Sequence, residues 1–237
     1  MTKRKASLVL QIIDDFKNLP VRRDLVKVRL ADGRRPLARA DGYFIFMDLL
    51  PGIYTISISG YVYQPVQMAV VLDGGPCPVI PVRVMPGRAY PLPRGGIRLM
   101  GNTVPGSEVQ FVYSCTSRPL KLLYDYEGGT MIRLFTPTTK LLDGRELCID
   151  QKEFFKIIQT VDGDAKIYRM DRVLSDTYKK GAAHLSYVTR VKADARGWFF
   201  MALPNHGGLE GFIEIPQKAG SRRELMLDDG EDVEVDL

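Results

Sequence analysis

Apolar positions along the chain gather in short runs rich in Val, Ile, Leu and aromatic residues, and Gly, Pro and Asp separate those runs. In the first third the runs are Ser7–Ile13, Val26–Leu30, Tyr43–Met47, Tyr54–Ile58, Val66–Leu72 and Val79–Met85. Turns are expected at Asp32-Gly33, Asp41-Gly42, Pro51-Gly52 and Asp73-Gly74-Gly75. Within one run Tyr54, Ile56 and Ile58 share a face and Ile53, Thr55 and Ser57 the other, so the first set is expected inside and the hydroxyls in water. Pro78 and Pro81 donate no ladder hydrogen bonds, which predicts that the last of these strands lies at a sheet edge.

Further strands are predicted at Glu108–Tyr113, Leu120–Tyr126, Met131–Thr136, Glu146–Ile149, Phe154–Val161, Ala165–Met170, Leu185–Val191, Trp198–Leu203 and Phe212–Ile215. Asp162-Gly163 marks a hairpin between two of them. Residues 171–183 fit none of these patterns and read as one short helical turn. Between the halves, residues 86–96 (PGRAYPLPRGG) lack any period, and their prolines predict a semi-rigid linker. The expected architecture is all-β, two β-sandwiches in tandem. The expected divisions are a sandwich over 1–88, a second β-rich domain over 97–223 and an acidic tail over 224–237.

Two segments echo each other. Asp41-Gly42-Tyr43-Phe44-Ile45-Phe46-Met47, leading to Pro51, resembles Arg196-Gly197-Trp198-Phe199-Phe200-Met201-Ala202, leading to Pro204, with two residues fewer in the second copy. Each is a turn, an aromatic strand, a proline-bearing turn and a further strand. This is the pattern expected of two related sandwiches, the second carrying insertions.

The stretch Asp41-Gly42-Tyr43-Phe44-Ile45-Phe46, then Leu49-Leu50-Pro51-Gly52-Ile53-Tyr54, with Gly60-Tyr61 after it, resembles the signature of carboxypeptidase-regulatory-like domains over about residues 7–86. The resemblance implies a small transthyretin-like sandwich in which the glycines turn, Phe44 and Phe46 fill the core and Pro51-Gly52 opens the next hairpin. It departs from the family pattern at Leu49-Leu50. The family domain is a non-catalytic appendage, so a scaffold or adaptor is implied.

The chain has 237 residues and a net charge of +5, but residues 1–95 carry 14 basic against 7 acidic residues, whereas Glu224–Asp236 holds seven acids and no base. Such asymmetry allows head-to-tail contacts. Arg22, Arg23, Arg34, Arg35 and Arg39 are candidates for gripping phosphates, yet no aromatic platform is interleaved with them, and the sequence argues against nucleic acid as a partner. Cys77, Cys115 and Cys148 have no paired spacing and are expected to be reduced and partly buried. After Lys3, Arg4 and Lys5 the apolar patch Leu8–Ile13 is interrupted by Gln11 and stopped by Asp14-Asp15; it reads as a strand, not an export signal, and a cytoplasmic location with no membrane contact is expected.

Catalytic chemistry finds few supports. His184 and His206 are the two histidines, 22 residues apart, too distant for the closely spaced ligands of a zinc peptidase or an iron dioxygenase, so no metal or cofactor is expected. Asp14-Asp15 and Asp228-Asp229 read as solvated acids. The sharper feature is the aromatic strand. Phe44 and Phe46 point one way and Tyr43, Ile45 and Met47 the other, so both faces are apolar although a two-layer sandwich buries one. Trp198 and Phe200 pose the same problem. The sequence therefore predicts a non-enzymatic structural or adaptor protein making protein–protein contacts or self-associating, with a phage-tail-like or contractile-injection particle as one setting. The second reading is a carbohydrate- or peptide-binding module with Tyr61, Tyr63 and Trp198 as stacking residues.

Overall fold

A computed structural model describes residues 5–117, 119–136, 142–204 and 207–237; Lys3, Arg4 and His206 lie outside them. The chain divides into two compact units, Met1–Pro91 and Leu92–Leu237. Among the described residues every regular element is a strand. None is a helix long and apolar enough to cross a membrane.

The first unit contains β1 (Ala6–Asp14), β2 (Leu19–Pro20), β3 (Lys27–Leu30), β4 (Leu37–Ala38), β5 (Tyr43–Met47), β6 (Gly52–Ser59), β7 (Val66–Leu72) and β8 (Val79–Val84). One sheet centres on β1, which pairs antiparallel with β5 and β2 and parallel with β8, while β4 extends it beyond β5. The second sheet is β3-β6-β7. Leu8, Leu10, Ile12, Phe44 and Phe46 from one sheet and Val28, Leu30, Ile56 and Ile58 from the other are buried. The alternation read in β6 holds, with Ile56 and Ile58 inside and Ser57 exposed, although Tyr54 is only half-buried. Among the described residues the proline-bearing β8 pairs with the single strand β1, as an edge strand.

The second unit contains β9 (Ile97–Asn102), β10 (Glu108–Cys115), β11 (Lys121–Leu122), β12 (Met131–Phe135), β13 (Glu146–Ile149), β14 (Glu153–Asp162), β15 (Ile167–Met170), β16 (Leu185–Lys192), β17 (Trp198–Leu203), β18 (Leu209–Glu214), β19 (Arg223–Leu227) and β20 (Asp232–Glu234). Its skeleton repeats that of the first. β17 pairs antiparallel and β20 parallel with β9, as β5 and β8 do with β1. β18 joins β10 to β19, as β6 joins β3 to β7. The match extends to single hydrogen bonds: Ile12 N–H donates to the Gly42 carbonyl (2.9 Å) and Thr103 N–H to the Gly197 carbonyl (2.8 Å), while Arg39 N–H reaches Tyr43 and Asp194 N–H reaches Trp198, each 2.8 Å. Both turn glycines have positive φ, 80° and 83°. A Cβ on Gly42 would lie 2.7 Å from Pro20, and one on Gly197 would overlap the Thr103 carbonyl oxygen.

The second sandwich differs by what lies between β10 and β17. There β11 to β15 form a lobe with its own core of Leu134, Leu147, Phe155, Ile157 and Met170 among others. β14 turns the sheet, since its first residues pair with β13 and its last with β15 through two bulges. Residues 171–183 contain no helix but do close one turn, where the Lys179 carbonyl accepts from Ala182 N–H (3.2 Å) and Ala183 N–H (3.1 Å); ahead of it Tyr178 and Tyr126 exchange backbone hydrogen bonds (2.9 and 2.8 Å), and the Glu153 carboxylate accepts from Ser175 N–H (2.7 Å), Asp176 N–H (3.1 Å) and Tyr178 O–H (2.7 Å). The acidic end is not a loose tail either. Leu227 is buried in β19, and Val233 brings β20 into register with Leu99 of β9, so apolar residues between the acids anchor it.

Candidate functional site

Strand register gathers the outward residues of the first sheet into one apolar row. Val9 is paired with Ile45 on one side and Val79 on the other, and Ile45 is paired in turn with Leu37. Cross-strand partners share a face, so Val79, Val9, Ile45 and Leu37 run side by side across four strands. The ends of the row are open, Val79 56% and Leu37 63% exposed, and Val9 and Ile45 between them are half-buried. Tyr43 stands beside Gln11 and Pro81 in the neighbouring row, and Met47 beside Ala6; both are half-buried. Phe44 and Phe46, on the opposite face, are in the core. The row thus contains Ile45 of the residues singled out in the sequence. Leu37, Val9 and Val79 escape notice there because their partnership depends on pairing between strands distant in the chain.

The corresponding face of the second unit aligns Glu234, Met100 and Phe200, with Asn102 beside Trp198 and Arg98 between Asp232 and Ala202. Arg98 and Asp232 form an exposed ion pair at 3.1 Å. Trp198 and Phe200 are half-buried. The two faces are therefore related in position and differ in chemistry: Val79 at the rim of one corresponds to Glu234 at the rim of the other.

Tyr61 and Tyr63 separate completely. Tyr61 is 89% exposed, beside a shallow groove of about 420 Å³ that Asp24, Lys27 and Gly60 also line. Tyr63 is not a surface stacking residue, because its ring is buried and its hydroxyl donates to Asp14 Oδ2 at 2.8 Å. Tyr90 O–H donates to the same oxygen at 2.6 Å, and the other oxygen accepts from the N–H groups of Phe16 (2.9 Å) and Lys17 (2.8 Å). Burial, and then the bond to the carboxylate, push both phenols well above the usual tyrosine range. Asp15 is buried as well, paired with Arg83 at 3.3 Å. The reading of Asp14-Asp15 as solvated acids is thus corrected: the pair ends β1 inside the protein, where four donors satisfy Asp14 and a guanidinium meets Asp15.

The remaining candidates resolve into structural roles. Arg22, Arg34 and Arg39 pair with Asp24 (2.8 Å), Asp32 (2.6 Å) and Asp41 (3.7 Å), so three of the five arginines face a carboxylate two residues away. His184 is exposed at a loop, its backbone N–H donating to Asp150 Oδ1 at 2.7 Å. The three cysteines are thiols, Cys115 and Cys148 buried and Cys77 half-buried. Burial raises the Cys148 thiol to about 12, which keeps it protonated and unreactive. On the large sheet of the second unit, Arg190 bridges Glu108 and Glu146, each at 2.8 Å, and lies over Phe154, while Arg222 covers the Phe212 ring at 3.5 Å. Those cations cover an apolar cluster of Val112, Cys148, Val188 and Phe212. No group of three or more His, Cys, Asp or Glu side chains placed to hold a metal occurs among the described residues.

These features define the class as an all-β protein of two related sandwiches. No family model matches the chain, and no curated protein matches it. Among solved structures it is similar to a streptococcal ancillary pilin, with 12% identity, 98% of this chain and 62% of that one covered, and a TM-score of 0.28. It is also similar to GBS52, a minor pilin of Streptococcus agalactiae (10%, 98% and 94%, TM-score 0.25), and to BcpA, the major pilin subunit of Bacillus cereus (8%, 97% and 69%, TM-score 0.28). The chain thus spans less than two thirds of the length of the ancillary pilin. Likeness of this degree carries no argument about role.

Proposed function

We propose that this is a non-catalytic protein that acts through protein–protein contact, with the first unit a carboxypeptidase-regulatory-like domain whose outer sheet face meets another protein. One observation carries the reading: the row Val79, Val9, Ile45 and Leu37 crosses a whole sheet face without a charge, and its ends are open to solvent. Rows of this kind on an outer face favour a covering surface. The ionisable groups best placed for chemistry are committed elsewhere, Asp14 to four donors and Cys148 to a raised thiol. The reading stops at an assembly role; no observation speaks for a phage-tail-like or contractile-injection setting.

The test is quantitative capture from the source cells with tagged wild type and with the double variant Leu37→Asp/Val79→Asp. Both positions are exposed, so the variant should keep its stability within about 0.5 kcal/mol. The expected result is a partner set retained by wild type and lost by the variant. Equal capture by both, or a chain that captures nothing, would overturn the reading.

A second reading rests on Tyr61. An aromatic ring this exposed beside a groove with Asp24 and Lys27 suits stacking on a sugar face. Saturable glycan binding abolished by Tyr61→Ala would favour it.

A further inference from the structure

We infer that two copies of this chain join through β7, edge to edge and antiparallel, making one continuous six-stranded sheet from two copies of β3-β6-β7. The inference goes beyond the contact proposed for the β1 sheet and uses the opposite side of the sandwich.

Edge strands expose unpaired N–H and C=O groups, and charge, proline or shortness normally blocks pairing there. β3 carries Lys27 and Arg29, β8 carries Pro81 and Arg83, and β2 and β4 are two residues each. β7 has none of these devices. Its seven residues, Val66-Gln67-Met68-Ala69-Val70-Val71-Leu72, contain no charge and no proline, and all seven pair with β6 on one side. On the other side β7 pairs with no strand among the described residues. The sister strand β19 holds the same place in the second unit and carries Arg223 and Glu224. The related edges therefore differ in the feature that governs strand addition.

The sequence of β7 also suits its own copy. An antiparallel pair centred on Ala69 sets Ala69 against Ala69, Gln67 against Val71 and Met68 against Val70, with no like charges opposed. The exposed face of such a pair would hold Val71 (70% exposed) and its β6 neighbour Ile53 (74%) at each end. Half-buried Val66 and Met68 would gain cover on the inner face. Growth then stops, because the doubled sheet ends on β3 at both sides, where Lys27 and Arg29 would face their own copies. The uncharged edge thus gives a closed pair, not a fibre.

The experiment is sedimentation equilibrium of the full chain across concentrations up to the millimolar range, with Ala69→Lys, Ala69→Cys and, as control, Met226→Lys on β19. Ala69 and Met226 are both exposed, so none of these changes burdens the monomer fold. Wild type and Met226→Lys should approach twice the 26.7 kDa chain mass. Ala69→Lys, which opposes two ammonium groups at the centre, should lower the association constant by about tenfold or more. Ala69→Cys should yield an oxidised dimer linked through position 69. Single-chain mass throughout, or a dimer that is indifferent to Ala69→Lys and forms no disulfide in the Ala69→Cys variant, would overturn the inference. Neither result bears on capture through Leu37 and Val79, so the two readings fail separately.

Discussion

Asp14 shows how much one residue can organise. Its carboxylate collects two phenolic O–H and two backbone N–H donors, and the phenols come from residues 49 and 76 positions further along the chain. Asp14→Asn keeps the shape but turns an amide NH₂ toward donors, and should cost about 2–4 kcal/mol in urea unfolding. The tyrosines give a pH signature. Their folded pKa values are raised above the ordinary value of about 10, so above pH 10 the unfolded chain sheds protons first and stability falls as pH rises. Tyr63→Phe/Tyr90→Phe should be less stable at neutral pH, where Asp14 loses two donors, and should show a flatter alkaline limb. Urea midpoints measured from pH 7 to 11 check both. None of this is legible in the sequence: Asp14-Asp15 at a strand end reads as solvated, and Tyr63 as a surface ring, because what buries them is far away in the chain.

At the scale of elements, the legible parts are those whose information is local. Tyr43–Met47 and Val66–Leu72 are readable to the residue, since each is a short run rich in apolar and β-branched or aromatic residues with a turn glycine or proline beside it. β9 escapes a sequence reading because Gly101 interrupts its pattern; that glycine is there because a Cβ would overlap the Val235 carbonyl oxygen. β4 is two residues, too short to show a period. The echo of the two aromatic strands is legible, and the structure gives its reason in the matched turns. Gly42→Ala and Gly197→Ala should each cost about 1–3 kcal/mol, through strain at positive φ and the close backbone or proline atoms. Thermal unfolding of each variant checks this. In the inserted lobe, partial burial would by itself raise Glu153, but its bonds from Ser175, Tyr178 and Asp176 outweigh that and hold it below the usual carboxylate range. The stabilisation is present above the unfolded value, near 4.3, and is lost as pH falls through the lowered one. Protection of Tyr178 N–H from hydrogen exchange, taken against the intrinsic amide rate at each pH, should therefore fall in acid, and Glu153→Gln should show the low protection already at neutral pH.

For the whole molecule, the account is a duplicated skeleton whose copies have diverged at their surfaces. The first copy keeps an uncharged outer row and an uncharged edge. The second has gained a lobe between β10 and β17 and acids along β20 and the turn before it. The tandem all-β class is readable in the sequence because turn spacing and strand periodicity are local properties. The row itself is readable only in part: Ile45 can be named, but its neighbours Val9, Val79 and Leu37 follow from register, which alternation alone leaves open. The most direct test is hydrogen–deuterium exchange of the chain alone and within the assembly captured from its own cells. The account predicts slowed exchange across β4, β5 and β8, with β17 and β18 unchanged. Protection confined to the second unit, with those three strands unaltered, would contradict it.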